Sequence, residues 1–203
     1  VEASLKSALI VGALRPGARL ITKEIADQLG TSITPVREAL LRLVSAGALH
    51  ATPAQAFLVP EVSAERYNEI NQIRKNLEGM AARAASQNMT SDKLRELRTL
   101  AINVDEAMKS GNTEQALQAN RVFRFSVYAH AGMPTLSALI EQLWVRIGPC
   151  YNYLYPSSEH LMRVQHYHDL LCALEEGDAF ASERAVWRAI DEGSTIVHRQ
   201  FER

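Results

Sequence analysis

Apolar positions along this chain follow two regimes that meet near Pro60. In the first sixty residues the periodic stretches are short and closely punctuated. Leu5, Leu9 and Ile10 recur at helical spacing, and the pattern stops at Gly12 and Pro16-Gly17. Arg19-Leu20-Ile21 predicts a very short strand. Thr22 has the chemistry of an N-cap for a helix through Ile25, Ala26 and Leu29, which Gly30 ends. Ser32 or Thr34 caps the next helix. Pro35 is tolerated there because the first turn has no intrahelical N–H bonds to lose. Val36, Ala39, Leu40, Leu43 and Val44 form its apolar face, and Gly47 stops it. Leu49 to Val59 alternates loosely around Pro53 and predicts a two-stranded hairpin.

Beyond Pro60 the pattern is helical throughout. Helices are expected over about 64–87, 91–110, 113–131, 135–153, 158–176 and 178–201. Ser63, Ser91 and Asp178 serve as caps; Gly111-Asn112, Gly132-Met133-Pro134, Tyr155-Pro156-Ser157 and Gly177 serve as breaks. The fold class that follows is mainly α. A winged helix-turn-helix domain occupies residues 1–60, and an all-helical bundle occupies residues 61–203.

Helix, tight turn and helix, with the second helix opening on small polar residues, is the helix-turn-helix arrangement. Ala26 is small where two helices must cross, and Gly30 makes the turn. Val36, Leu40 and Leu43 anchor the second helix. Its opening turn, Ser32, Ile33, Thr34 and Pro35, together with Arg37, is left free to enter a DNA major groove. Arg37 can grip guanine O6 and N7 bidentately, while Ser32 and Thr34 can reach phosphates or base edges. The competing reading is a plain helical hairpin in which Arg37 and Glu38 are solvated charge. At the hairpin tip, Gln55 is the side chain able to bond a base edge.

Charge distribution shifts the balance slightly towards DNA. The net charge is −1, yet residues 1–60 carry six Lys or Arg against four Asp or Glu, and the remainder carries 16 against 19. A composition of 47% hydrophobic and 22% charged residues suits a globular protein. No apolar run approaches a membrane span, and no signal peptide opens the chain, so a cytoplasmic protein without membrane partners is expected. The start at Val1, directly inside a helical pattern, anticipates further residues before it. Cys150 and Cys172 lack zinc-ribbon spacing and read as reduced thiols. His130, His160 and His198 have no metal spacing either, and the aromatic cluster of Trp144, Tyr151, Tyr153 and Tyr155 reads as core or interface. No His–carboxylate pair, Ser-His-Asp set or phosphate-cradling glycine loop stands at usable spacing, so an enzyme is not expected.

These residues carry a resemblance. The run Leu14-Arg15-Pro16-Gly17-Ala18-Arg19-Leu20, then Ile25 to Ser32, then Thr34-Pro35-Val36-Arg37-Glu38-Ala39-Leu40, is similar to the GntR family of bacterial regulators. The helical part resembles the FCD form of the ligand-binding domain of the FadR subfamily. This rests on Ile73-Arg74 with Leu77-Glu78, on Phe123 with Gly132-Met133-Pro134, and on Ala173-Leu174 with Gly177-Asp178. Ile33 to Ser45 and Glu141 to Pro149 are similar to an enterobacterial branch that controls biofilm and colanic-acid genes. Family members often carry an Arg where this chain has Ile33, which could instead touch a thymine methyl. The resemblance implies a homodimer, a palindromic double-stranded DNA operator, repression and a small-molecule effector.

Most members of the FCD form hold a metal with one Asp and three His. The resemblance puts those positions at Asn120, Arg124, Tyr167 and Ala189, none of which is Asp or His. No metal and no other cofactor is therefore expected. His166 and His168 flank Tyr167, but a one-residue shift turns a side chain about 100° around a helix. Asn120, Phe123, Arg124 and Val127 share one helical face, and Arg146 shares one with Leu139, Leu143 and Cys150. A bundle interior containing Arg74, Asn120, Arg124, Arg146 and Tyr167 would suit a small anion held without a metal. The alternatives are that Arg124 pairs with an internal acid such as Glu78, or that the helical part is only a dimerisation module.

Overall fold

The computed structural model describes residues 1–53, 56–154 and 165–201. The chain divides into two compact units: Val1–Ser63 with Gln142–Asn152, and Ala64–Glu141 with Tyr153–Arg203. A linear division after residue 60 does not anticipate the segment 142–152 in the first unit.

The first unit contains α1 (Glu2–Ile10), β1 (Arg19–Leu20), α2 (Thr22–Gln28), α3 (Ile33–Ser45), β2 (His50–Ala51) and β3 (Phe57–Leu58). The three strands form an antiparallel sheet in the order β1-β3-β2, with Arg19 opposite Leu58 and His50 opposite Leu58 on the other side. The sheet is small because each strand contributes two residues. Stability comes from the side chains beneath it: Leu9, Ile10, Val36, Leu40, Leu43, Leu49 and Val59 are essentially inaccessible. Ile21, not Thr22, occupies the N-cap position of α2, and Ser32 occupies that of α3.

The second unit is helical among its described residues. It contains α4 (Ala64–Gln87), α5 (Ser91–Lys109), α6 (Thr113–His130), α8 (Gln165–Glu175) and α9 (Ala179–Phe201), along with the opening of α7 (Pro134–Ile147). Caps follow the expected chemistry with one shift. Thr90 rather than Ser91 accepts from Lys93 N–H at 3.3 Å, while Asp178 accepts from Ala181 N–H at 2.8 Å. Close packing of α4 on α9 depends on Gly79, where a Cβ would lie 2.6 Å from the indole nitrogen of Trp187. That nitrogen instead donates to the Lys75 carbonyl at 2.8 Å.

The fourth helix of this region is shorter than the expected 135–153. Its α-helical part ends at Ile147, and Gly148–Leu154 continues as a 3-10 helix. Pro149 explains the change, because it supplies no N–H and disfavours α conformation in the residue before it. The expected helix start at 158 and Tyr155 lie outside the described residues.

Candidate nucleic-acid interface and buried arginine cluster

The two sequence-predicted sites fall in different units and have opposite environments. In the first unit, α2 and α3 pack through Ala26, Val36, Ala39, Leu40 and Leu43, all buried. Gly30 makes the turn between them in the left-handed region (φ 62°), and the Thr31 N–H reaches back to the Ala26 carbonyl at 3.0 Å. The opening of α3 is thereby turned outwards. Ser32, Ile33, Thr34 and Arg37 are exposed and Pro35 is half-buried. Ile33 keeps 51% of its surface accessible, a large apolar exposure for a residue at a helix start. The Ser32 side chain makes no capping hydrogen bond, so its hydroxyl is available to another group. Gln55 lies outside the described residues.

The second unit buries polar groups at its centre. Arg74 Nε donates to Glu78 Oε1 at 2.6 Å, and Arg74 Nη1 donates to Asn71 Oδ1 at 2.9 Å. The Tyr128 hydroxyl donates to Glu78 Oε2. Glu78 is fully buried, so its charge is sustained by these contacts and not by water. Nearby, the Tyr167 hydroxyl donates to Asn120 Oδ1 at 2.9 Å, and the Tyr167 ring meets Phe123 edge-on at 5.0 Å. Burial pushes the phenols of Tyr128 and Tyr167 above the ordinary tyrosine range, and the positive charge of Arg124 acts in the opposite direction on both. Both therefore remain hydrogen-bond donors at neutral pH.

Arg124 is not fully satisfied in this way. It is 5% exposed, yet its Nη1 has no hydrogen-bond partner among the described residues. Glu78, for its part, pairs with Arg74 and accepts from Tyr128. The Arg74–Glu78 ion pair joins residues one turn apart on α4 that the sequence places in the bundle interior. A buried guanidinium with an idle donor is costly, and such a group suits a site that an anion completes. Tyr167 also lines a groove of about 440 Å³ between α5 and α8, with Arg98, Ala101, Ile102, Leu171 and Cys172.

The family's metal does not fit these residues. Arg124 brings a fixed positive charge, Ala189 has no donor atom, and the Asn120 oxygen is occupied by Tyr167. The flanking histidines turn away: His166 meets Glu192 at 2.7 Å, and His168 meets Cys172 at 3.7 Å.

Arg146 corrects the expected grouping. It belongs to the first unit, where its Nε donates to the Ala46 carbonyl at 2.8 Å. Heptad-like spacing with Leu139 and Leu143 does not identify which core a helix faces. Asn71 and Tyr128 were not singled out by sequence, although Asn71 stands one turn before Arg74, the spacing at which helix side chains meet. Trp144 and Tyr151 lie in the first unit and Tyr153 in the second.

Comparisons with known proteins agree across the chain. The gntR family model of bacterial regulatory proteins matches residues 1–59, and the FCD domain model matches residues 69–192. The HTH-type transcriptional regulator McbR of Escherichia coli K12 is 47% identical over 206 residues, covering 100% of this chain and 93% of its own length. Its solved structure superimposes with a TM-score of 0.94 at 46% identity, covering 98% of this chain and 96% of that one. The Nta operon transcriptional regulator of Aminobacter aminovorans is 30% identical, covering 76% of this chain and 72% of its own. The HTH-type transcriptional repressor RspR of Escherichia coli K12 is 24% identical, covering 92% and 82%. With a helix-turn-helix head, a helical unit and these matches, the chain belongs to the GntR family of bacterial regulatory proteins, as a transcription regulator with an FCD domain.

Proposed function

We propose that this regulator is a repressor whose α3 reads the major groove, and that it binds a palindromic operator as a homodimer in the cytoplasm. The observation that carries the reading is the exposed opening of α3, with Ser32, Ile33, Thr34 and Arg37 outward over a buried Val36-Ala39-Leu40-Leu43 face. Arg37 reads a guanine, Ile33 packs on a thymine methyl, and Ser32 and Thr34 fix register on phosphates. Repression is supported by the similarity to RspR.

The test is selection of bound fragments from the source genome at two salt concentrations. One palindromic site is expected, with affinity falling steeply as salt rises. Arg37→Ala should cost roughly 1–3 kcal/mol on that site and relax preference at one position. Unchanged affinity and preference in that variant would show that α3 does not read bases through Arg37.

The helical unit senses a small anion without a metal, and the buried Nη1 of Arg124 supports this most directly. Asn120 and Tyr167 flank the site. Arg74 supports it from behind through Glu78 and Tyr128. Anion binding changes the affinity for DNA because the two ligands share one conformational equilibrium. Citrate, succinate and inorganic phosphate are suitable first probes in a thermal-shift assay. At least one should raise the melting temperature of the native protein and leave Arg124→Leu unmoved; equal shifts in both proteins would remove Arg124 from the site.

A further inference from the structure

The first unit is built from two separate pieces of chain, and the second piece bears directly on α3. The last turn of α3 closes with a paired arrangement in which the Ala48 N–H bonds the Leu43 carbonyl and the Gly47 N–H bonds the Val44 carbonyl, both at 2.9 Å. This leaves the Ala46 carbonyl without a partner from its own helix end. Arg146 Nε supplies that partner at 2.8 Å from the segment Gln142–Asn152. The guanidinium also lies flat against Gly47, where an added Cβ would sit 3.4–3.5 Å from Nε, Cζ and Nη2. Its positive charge stands at the negative end of the α3 dipole.

The segment carrying Arg146 is held to the same unit by backbone approach, which permits little adjustment. A Cβ at Gly148 would lie 2.0 Å from the Leu9 carbonyl oxygen, and one at Gly12 would lie 2.5 Å from the Asn152 nitrogen. Asn152 Nδ2 donates to the Gly12 carbonyl at 2.7 Å, and Ile147 and Cys150 are buried. α1 is linked onward to α3 by Glu2, which pairs with Arg42 Nε at 2.7 Å.

We propose that Arg146 is a positioning residue for DNA recognition: from the segment 142–152 it caps α3 and fixes the axis along which the opening turn meets the groove. The inference rests on α3 being the recognition helix. Arg146 contacts no base. Its loss leaves the phosphate contacts of Ser32 and Thr34 available but loosens the angle on which base contacts depend. Specific binding should fall more than non-specific binding.

The test uses the full chain, a duplex carrying a genomic fragment selected by the unmodified protein, and an unrelated duplex of equal length. Arg146→Ala should weaken the selected duplex at least tenfold and the unrelated one less than twofold. Arg146→Gln keeps a side-chain N–H donor and should recover most of the specific affinity. Leu139→Ala, exposed in the earlier part of α7, should match the unmodified protein. Wild-type affinity in Arg146→Ala overturns the proposal, as does equal weakening on both duplexes with no recovery by Gln. If Arg146→Ala does not fold, Arg146→Gln decides: a folded Gln variant with wild-type preference supports the cap, and one without it refutes the cap. Arg37→Ala, run alongside, separates the two readings. Loss there without loss in Arg146→Ala refutes the capping role alone. No loss in Arg37→Ala removes the recognition role of α3 and the inference with it.

Discussion

Glu78→Ala should destabilise the helical unit by about 3–5 kcal/mol, the largest single effect we expect from one side chain. Glu78 is fully buried and accepts from both Arg74 and Tyr128. Removing it takes from the Arg74 guanidinium its charged partner, leaving the neutral Asn71 acceptor, and takes from the Tyr128 hydroxyl this acceptor. Arg124 already contributes a buried positive charge to this region, felt at both Tyr128 and Tyr167. The variant therefore concentrates two like charges in a medium of low polarisability. Urea denaturation followed by helical circular dichroism reads the loss, and a shift below about 1 kcal/mol would show that water replaces the carboxylate. Replacing Arg74 and Glu78 together by Leu should recover most of the loss, because the penalty comes from an uncompensated charge and not from the absence of an ion pair.

The second large effect is expected at Gly148. Its absent Cβ would fall 2.0 Å from the Leu9 carbonyl oxygen, 2.6 Å from the Leu9 carbonyl carbon and 2.7 Å from the Ile10 Cα. All three are backbone atoms, so no rotamer change relieves the clash; α1 or the segment 142–152 must move. Gly148→Ala should cost at least the upper part of about 1–3 kcal/mol in the first unit. Specific DNA binding should fall while the helical unit keeps its own unfolding transition. Gly193 is the matched control, lying inside α9 with nothing within 4 Å of its would-be Cβ. Gly193→Ala should be neutral or stabilising by about 0.5–1 kcal/mol. Equal behaviour of the two variants would mean that the approach of residue 148 to α1 contributes nothing to the head.

Arg124 and Arg146 have opposite fates, although sequence alone put them in one group. Arg124 lies inside the helical unit with an idle donor, the environment an anion site requires. Arg146 is spent on the end of α3. We propose sensing for the first and presentation of the reading helix for the second. Substitutions at the two positions should accordingly affect different ligands.

Local rules made much of this protein legible from its sequence. Gly12, Gly30 and Gly47 punctuate three helices because each helix ends in a left-handed residue. The 3.6-residue period of Val36, Ala39, Leu40 and Leu43 determines which face of α3 is buried and hence that Ser32, Thr34 and Arg37 face out. The departure from the family's ligand types at Asn120, Arg124, Tyr167 and Ala189 was equally readable, since ligand chemistry is a property of residue type. Only the tertiary structure decided which buried groups pair between helices. The Arg74–Glu78 pair, one turn apart on α4, was legible as an i,i+4 contact, but the bonds of Tyr128 to Glu78 and of Tyr167 to Asn120 join different helices and depend on how those helices approach. Only the tertiary structure, likewise, assigned residues 142–152 to the first unit. A helical stripe records that a face is covered and carries no record of what covers it, because burial is non-directional while hydrogen bonds are fixed by position.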